Sequence, residues 1–206
     1  MNKYTDRKGV VTLDLEPEPA SPPPRMTGSL LSKGELRILV LSDMHLPHGE
    51  SRISSLIENG DLLARHDMVV LLRDSTVSYG TKGEYDRVAK LLARLPLPYL
   101  VVNGNHEFSF LPIPDESQDY GKVWELSDLA TQRTQLIRFE KFFSLPSRYQ
   151  CHRTRNAALL LLGVDEIEKG TTRALVYPEH EAWIADQLDA LDDLPLVVEH
   201  GVKHTY

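Results

Sequence analysis

The sequence predicts an α/β domain. Three observations carry that prediction. Short, continuous apolar runs recur along the chain, segments with apolar residues at helical spacing lie between them, and each run is followed within two residues by Asp, Asn, Glu or His. Continuous apolar runs are the mark of strands covered on both faces.

Residues 1–34 stand apart from this pattern. Residues 16–24 hold five of the 13 prolines; proline removes backbone donors and favours an extended chain. This part reads as a flexible, Pro-rich N-terminal extension, with a single domain over 35–206. The domain opens on a strand at 37–41. Ile53, Leu56, Ile57 and Leu63 then recur at helical spacing, weakened by Gly60. A second strand is predicted over 68–72. Thr81 and Glu84 have the spacing of a capping box, opening a helix whose core face is Tyr85, Val88, Leu92 and Leu95 and which Pro96 and Pro98 end. The third strand is 99–102, followed by a long polar loop over 108–122. A helix is predicted over 124–143 with Leu126, Leu129, Leu136, Phe139 and Phe143 as apolar positions, then a fourth strand over 157–164. Pro178 suits a first helical turn, with Trp183, Ile184, Leu188 and Leu191 on one face. A fifth strand is predicted over 194–198.

Composition bounds the function. Apolar residues together with glycine make up about 47% of the chain, the globular norm, which excludes a low-complexity or disordered protein. The net charge of −7, with no long basic run, disfavours sequence-specific nucleic acid as a partner but leaves room for a nucleotide-sized ligand. The single cysteine, Cys151, excludes an internally disulfide-stapled scaffold and reads as inert in a polar loop. The longest apolar run, 157–164, is far short of the ~20 residues that span a bilayer, and the N-terminus lacks the apolar core of a signal peptide. The expectation is a cytoplasmic protein with no membrane partner. Oligomeric state is left open.

In open α/β sheets the chemistry lies just past the carboxyl ends of the strands. Here the first strand is followed by Asp43-Met44-His45, the second by Arg73-Asp74, the third by Gly104-Asn105-His106-Glu107, the fourth by Asp165-Glu166 and the fifth by His200. Each motif alone is ordinary turn chemistry; their succession at strand ends points to a metal site. Carboxylate, carboxamide and imidazole together suit Mn, Fe, Zn or Ni. Two such ions can clamp a phosphate, and an imidazole beside them can protonate a leaving oxygen. His48, His66, His152 and His180 fall in no motif, and Asp186, Asp189, Asp192 and Asp193 read as a solvated helix face.

At these residues the sequence resembles the calcineurin-like metallophosphoesterases, over 36–206, and most of all the subgroup of cyclic-nucleotide phosphodiesterases and purple-acid-phosphatase-like enzymes. The family pattern is D-x-H, G-D-x-x-D, G-N-H-D/E, a strand-end H, and G-H-x-H. It is met at Asp43-Met44-His45, at Asp74 alone, at Gly104 to Glu107, and at His200. The resemblance implies a β-sandwich flanked by helices (αββα) and two metal ions, Mn, Fe or Zn. Asp43 and His45 would hold one ion, Asp74 would bridge, and Asn105 and His200 would hold the other. His106 would act as acid at the leaving group, oriented by Glu107; Arg73, Asn105 and His106 would contact substrate. A metal-bridging hydroxide would attack phosphorus in line. The implied activity is hydrolysis of a small phosphodiester or phosphomonoester, with a nucleotide among the candidate substrates.

Three departures stand out. Arg73 replaces the glycine before the bridging Asp, where it could bind phosphate or crowd the metals. Val77 replaces the second acid of G-D-x-x-D, whose loss in an outer shell typically costs ~10–100-fold in metal affinity or activity. No G-H-x-H is present, although Gly201-Val202-Lys203-His204 echoes it. The C-terminal part is therefore expected to be truncated, leaving an exposed sheet edge. These departures support an alternative reading, a non-catalytic relic acting as a binding or scaffold protein.

Overall fold

A computed structural model describes residues 4–5, 11–12, 28–77, 80–110, 126–169, 173–191 and 195–199. Near the N-terminus, β1 (Tyr4–Thr5) pairs antiparallel with β2 (Val11–Thr12), and α1 (Gly28–Leu31) is a single turn. Most of residues 1–27, where the flexible extension is expected, lies outside the described residues.

The domain proper begins with β3 (Ile38–Leu41), α2 (Glu50–Glu58), α3 (Gly60–Leu63) and β4 (Met68–Leu71). The break between α2 and α3 falls at Asn59, whose side chain accepts the Leu62 N–H and so restarts the helix next to Gly60. Then come α4 (Lys82–Leu92) and β5 (Tyr99–Val101). The capping box at α4 is present in full: Thr81 accepts the Glu84 N–H, and Glu84 accepts the Thr81 N–H. A 3-10 turn (Asn105–Glu107), α5 (Leu129–Phe142), β6 (Gln150–Arg153) and β7 (Ala158–Leu162) follow. The short pair β8 (Glu166–Ile167) and β9 (Ala174–Leu175), then α6 (Pro178–Asp189) and β10 (Pro195–Glu199), complete the order.

Strands β3, β4 and β5 lie side by side, all parallel. Because the order advances in one direction, right-handed crossovers place α2 and α4 on the same face. That face is closed by Ile53, Leu56, Val88, Leu92, Phe139 and Phe142 packing on Val69, Leu71 and Val101. The other face, Met68, Val70, Leu100 and Val102, packs on Leu159 and Leu161 of a second sheet. In that sheet β7 is central, parallel to β10 and antiparallel to β6. Its far side, Ala158 and Leu160, is covered by Trp183, Ile184 and Leu191. The layers are helix, sheet, sheet, helix, the sandwich that the resemblance implies.

Some local expectations are corrected. Cys151 lies in β6 opposite Leu160 and packs on the apolar cluster under α6, not in a polar loop. Helix α5 starts after Asp128, which caps it by accepting the Thr131 N–H, so Leu126 precedes the helix and instead bridges to Phe110. Leu129 and Leu188 are exposed rather than core-facing.

Candidate metal centre

Strands β3, β4 and β5 end side by side, and the segments that leave them stay paired past the sheet. The Asp43 N–H donates to the Arg73 carbonyl (3.2 Å), His45 N–H to Asp74 (2.8 Å) and Leu46 N–H to Ser75 (3.0 Å). Among the described residues, only Asp43, His45, Asp74 and Ser144 combine a side chain with left-handed φ (56°, 43°, 47° and 51°). Such conformations cost free energy, and they concentrate where a fold aims side chains at a site.

Asp43, His45 and Asp74 each offer a ligand atom, all within 4.8 Å of one another. Asp43 Oδ1 and His45 Nε2 are 4.0 Å apart, which fits one ion at ~2.1 Å from each. Two ligands ~2.1 Å from one ion lie at most ~4.2 Å apart, so drawing all three onto a single ion requires the side chains to close up. Asn105 is buried, and its Nδ2 has no hydrogen-bond partner. Turning the amide end for end would put its carbonyl oxygen at that unfilled position. The donor set and the orphaned amide fit a hard-to-intermediate cation. His200 lies outside the described residues; β10, which leads to it, ends at Glu199 opposite Leu162.

Buried groups lock the third loop onto the second. Glu107 is fully buried and accepts four backbone N–H groups: Asp74 (3.1 Å) and Gly104 (2.6 Å) at one oxygen, Ser75 (2.5 Å) and Thr76 (3.3 Å) at the other. Burial, and next the negative Asp74, push its carboxyl upward against the pull of the Gly104, Ser75 and Thr76 N–H donors. The His106 N–H donates to Asp74 Oδ1 (3.1 Å), and Thr76 Oγ1 donates to the His106 carbonyl (2.6 Å). Gly104 permits this approach: a Cβ there would stand 2.1 Å from Asp74 Oδ1.

The His106 ring lies edge-on to His45, centroids 4.6 Å apart, and its Nδ1 donates to the Val77 carbonyl. That bond fixes the tautomer and leaves Nε2 as the atom that exchanges a proton. The expectation that Glu107 orients His106 is corrected: Glu107 spends its oxygens on backbone N–H groups, and Val77 holds the ring. Val77, read as the site of a lost acid, also donates its N–H to Glu84 (3.0 Å), so a carboxylate still braces this loop.

Arg73 Nε donates to Asp43 Oδ2 (2.9 Å) and to Ser42 Oγ (3.0 Å), while the Ser42 hydroxyl donates to the same carboxylate oxygen. Burial raises the Asp43 carboxyl, but Ser42 and Arg73 outweigh it and hold the group below its ordinary value. Asp165, read with the strand-end acids, does not join this group. It is wholly buried and engaged by Arg148 (2.8 Å), Tyr149 Oη (3.1 Å), the Tyr177 N–H (2.7 Å) and His180 Nδ1 (2.7 Å). Asn103 ties the same region to β5, donating to the Val164 carbonyl at 2.9 Å. Sequence reasoning singled out neither Thr76 nor Glu84 as a support of the site. The capping-box spacing was the one signal for Glu84.

The sequence profile of the calcineurin-like phosphoesterases matches residues 36–206. The chain belongs to that family. In fold it is similar to a purple acid phosphatase isolated from yellow lupin (Lupinus luteus) seeds, at a TM-score of 0.51 and 16% sequence identity. The match covers 80% of this chain and 30% of the lupin protein, so the chain spans under a third of that structure. No curated protein matches it. Among the described residues, no helix is long and apolar enough to cross a membrane.

Proposed function

We propose that the protein is a metal-dependent phosphoesterase that hydrolyses a small phosphodiester or phosphomonoester, with a nucleotide among the candidate substrates. The observation that carries this reading is the convergence of Asp43, His45 and Asp74 at the ends of adjacent parallel strands, with His106 against His45. In this reading Asp43 and His45 would hold one ion, Asp74 would be shared, and Asn105 and His200 would hold a second, with Mn, Fe or Zn as the metals. Metal ions there would place positive charge against the phosphoryl oxygens and acidify water near neutral pH.

The chain's own residues supply the rest. His106 Nε2 gives its proton to the leaving oxygen as the P–O bond breaks, and its Nδ1–H on Val77 keeps the ring in place. Glu107 acts by positioning: it fixes the backbone that carries Asp74 and Gly104. Arg73 and Asn105 are assigned to contact phosphate oxygens.

The test is hydrolysis of an aryl phosphodiester and an aryl phosphomonoester by purified protein with added manganese. Turnover that disappears in Asp74→Asn and His106→Ala supports the enzyme. Absence of turnover from about pH 5 to about pH 9 with Mn, Fe or Zn rejects it. The Arg73–Asp43 ion pair favours a second reading, a metal-impaired binding or scaffold protein. That reading requires fewer than one ion per chain.

A further inference from the structure

We infer that Arg73 is a built-in competitor for the metal at Asp43: its guanidinium takes one carboxylate oxygen of the proposed ligand, and an ion loads only by displacing it. The inference rests on the metal-site reading above and concerns how that site fills.

The geometry is specific. Asp43 Oδ2 accepts from Arg73 Nε at 2.9 Å and from the Ser42 hydroxyl, while Oδ1 lies 4.0 Å from His45 Nε2. One oxygen therefore faces the proposed ion and the other a fixed cation. The Arg73 side chain is anchored twice, since Nε also donates to Ser42 Oγ at 3.0 Å. Its backbone is anchored too, because the Arg73 carbonyl accepts the Asp43 N–H. The close approach of Gly104, where a Cβ would stand 2.8 Å from the Arg73 Cβ, restricts where that side chain can start.

Charge decides the direction of the effect. A carboxylate shared with a guanidinium has less negative potential to offer a divalent ion, and two cations on one carboxylate repel at a separation of a few ångströms. Arg73 therefore weakens metal binding. Once displaced, the same guanidinium lies next to the ion, placed to donate its fork of N–H groups to a phosphoryl oxygen. Metal loading and phosphate binding are then opposed at the first step and coupled at the second.

The experiment is manganese binding by titration calorimetry, with free ion followed by electron paramagnetic resonance, on the full chain as wild type, Arg73→Gln and Arg73→Gly. Inorganic phosphate is then titrated into each manganese-loaded protein. Circular dichroism checks that each variant is folded; the pair is partly exposed, so its loss should leave the fold intact. The expected result is tighter manganese binding in both variants, by about tenfold or more, with weaker phosphate binding by the loaded variants. Equal or weaker manganese binding in folded variants, beside a wild type that does bind, overturns the role of Arg73 and leaves the metal site standing. No manganese binding by any of the three overturns both.

Discussion

Gly104 stands against Asp74 so closely that a methyl group in place of its hydrogen would lie 2.1 Å from Asp74 Oδ1. The glycine is needed for space, since its φ of −104° is open to any residue. Gly104→Ala must push either the Asp74 carboxylate or the loop backbone aside, an overpacking cost of about 1–3 kcal/mol. The expected outcome is a lower unfolding midpoint in denaturant together with weaker manganese binding. Both quantities unchanged would show that Asp74 is not held where the geometry puts it.

Glu107→Gln probes the buried lock. Both carboxylate oxygens accept backbone N–H groups, so an amide necessarily turns an NH2 toward donors. Leaving a buried donor unpaired costs about 1–3 kcal/mol, and at least two backbone donors lose their acceptor. Stability should fall by a few kcal/mol in chemical denaturation. A variant within about 0.5 kcal/mol of wild type would contradict the lock.

Asp67 supplies a prediction in acid. Its carboxyl is pulled down to about 2, first by the Lys33 ammonium and then by the Arg37 N–H at 2.8 Å. A carboxylate depressed on folding stabilises the native state above its unfolded pKa of about 3.9 and loses that contribution as pH falls through about 2. Stability should therefore decline across that window in wild type. Asp67→Asn should flatten the decline. Unfolding free energies measured against pH for the two proteins check this, and parallel curves would count against it.

The role of His106 is read from leaving groups. A general acid contributes typically ~10²–10⁴-fold, and more when the departing alkoxide is strongly basic. His106→Ala should lose far more rate on an alkyl phosphoester than on an aryl one, while manganese affinity stays near wild type. Equal losses on both substrates would indicate that the ring positions the site and does not deliver the proton.

The strands and most helices were legible because burial on both faces writes itself as continuous apolar runs, as at 68–72 and 157–164. Strand β6 was not: Gln150–Arg153 is polar apart from Cys151, and it is a strand because β7 offers it a partner. The pair β8–β9 is two residues on each side, too short for any period. Leu129 and Leu188 sit at helical spacing yet face outward, since which face is core depends on what packs there.

Within the site, Asp43, His45, Asp74 and the 104–107 turn could be named from their place after strands, because adjacent parallel strands end together. The partners could not. Asp165 reads like the other strand-end acids, but Arg148 and His180 reach it from elsewhere in the chain. That Glu107 grips backbone rather than the His106 ring, and that Arg73 turns onto Asp43, depend on the paths of loops whose left-handed residues carry no sequence signature.

Asp43, His45 and Asp74 are expected to close on a cation. Anomalous diffraction at the manganese edge, from crystals grown with manganese, tests it most directly. A peak is expected at roughly 2.0–2.3 Å from Asp43 Oδ1, His45 Nε2 and an Asp74 oxygen. A well-ordered site with no peak among these three side chains, in crystals whose diffraction resolves them, would contradict it.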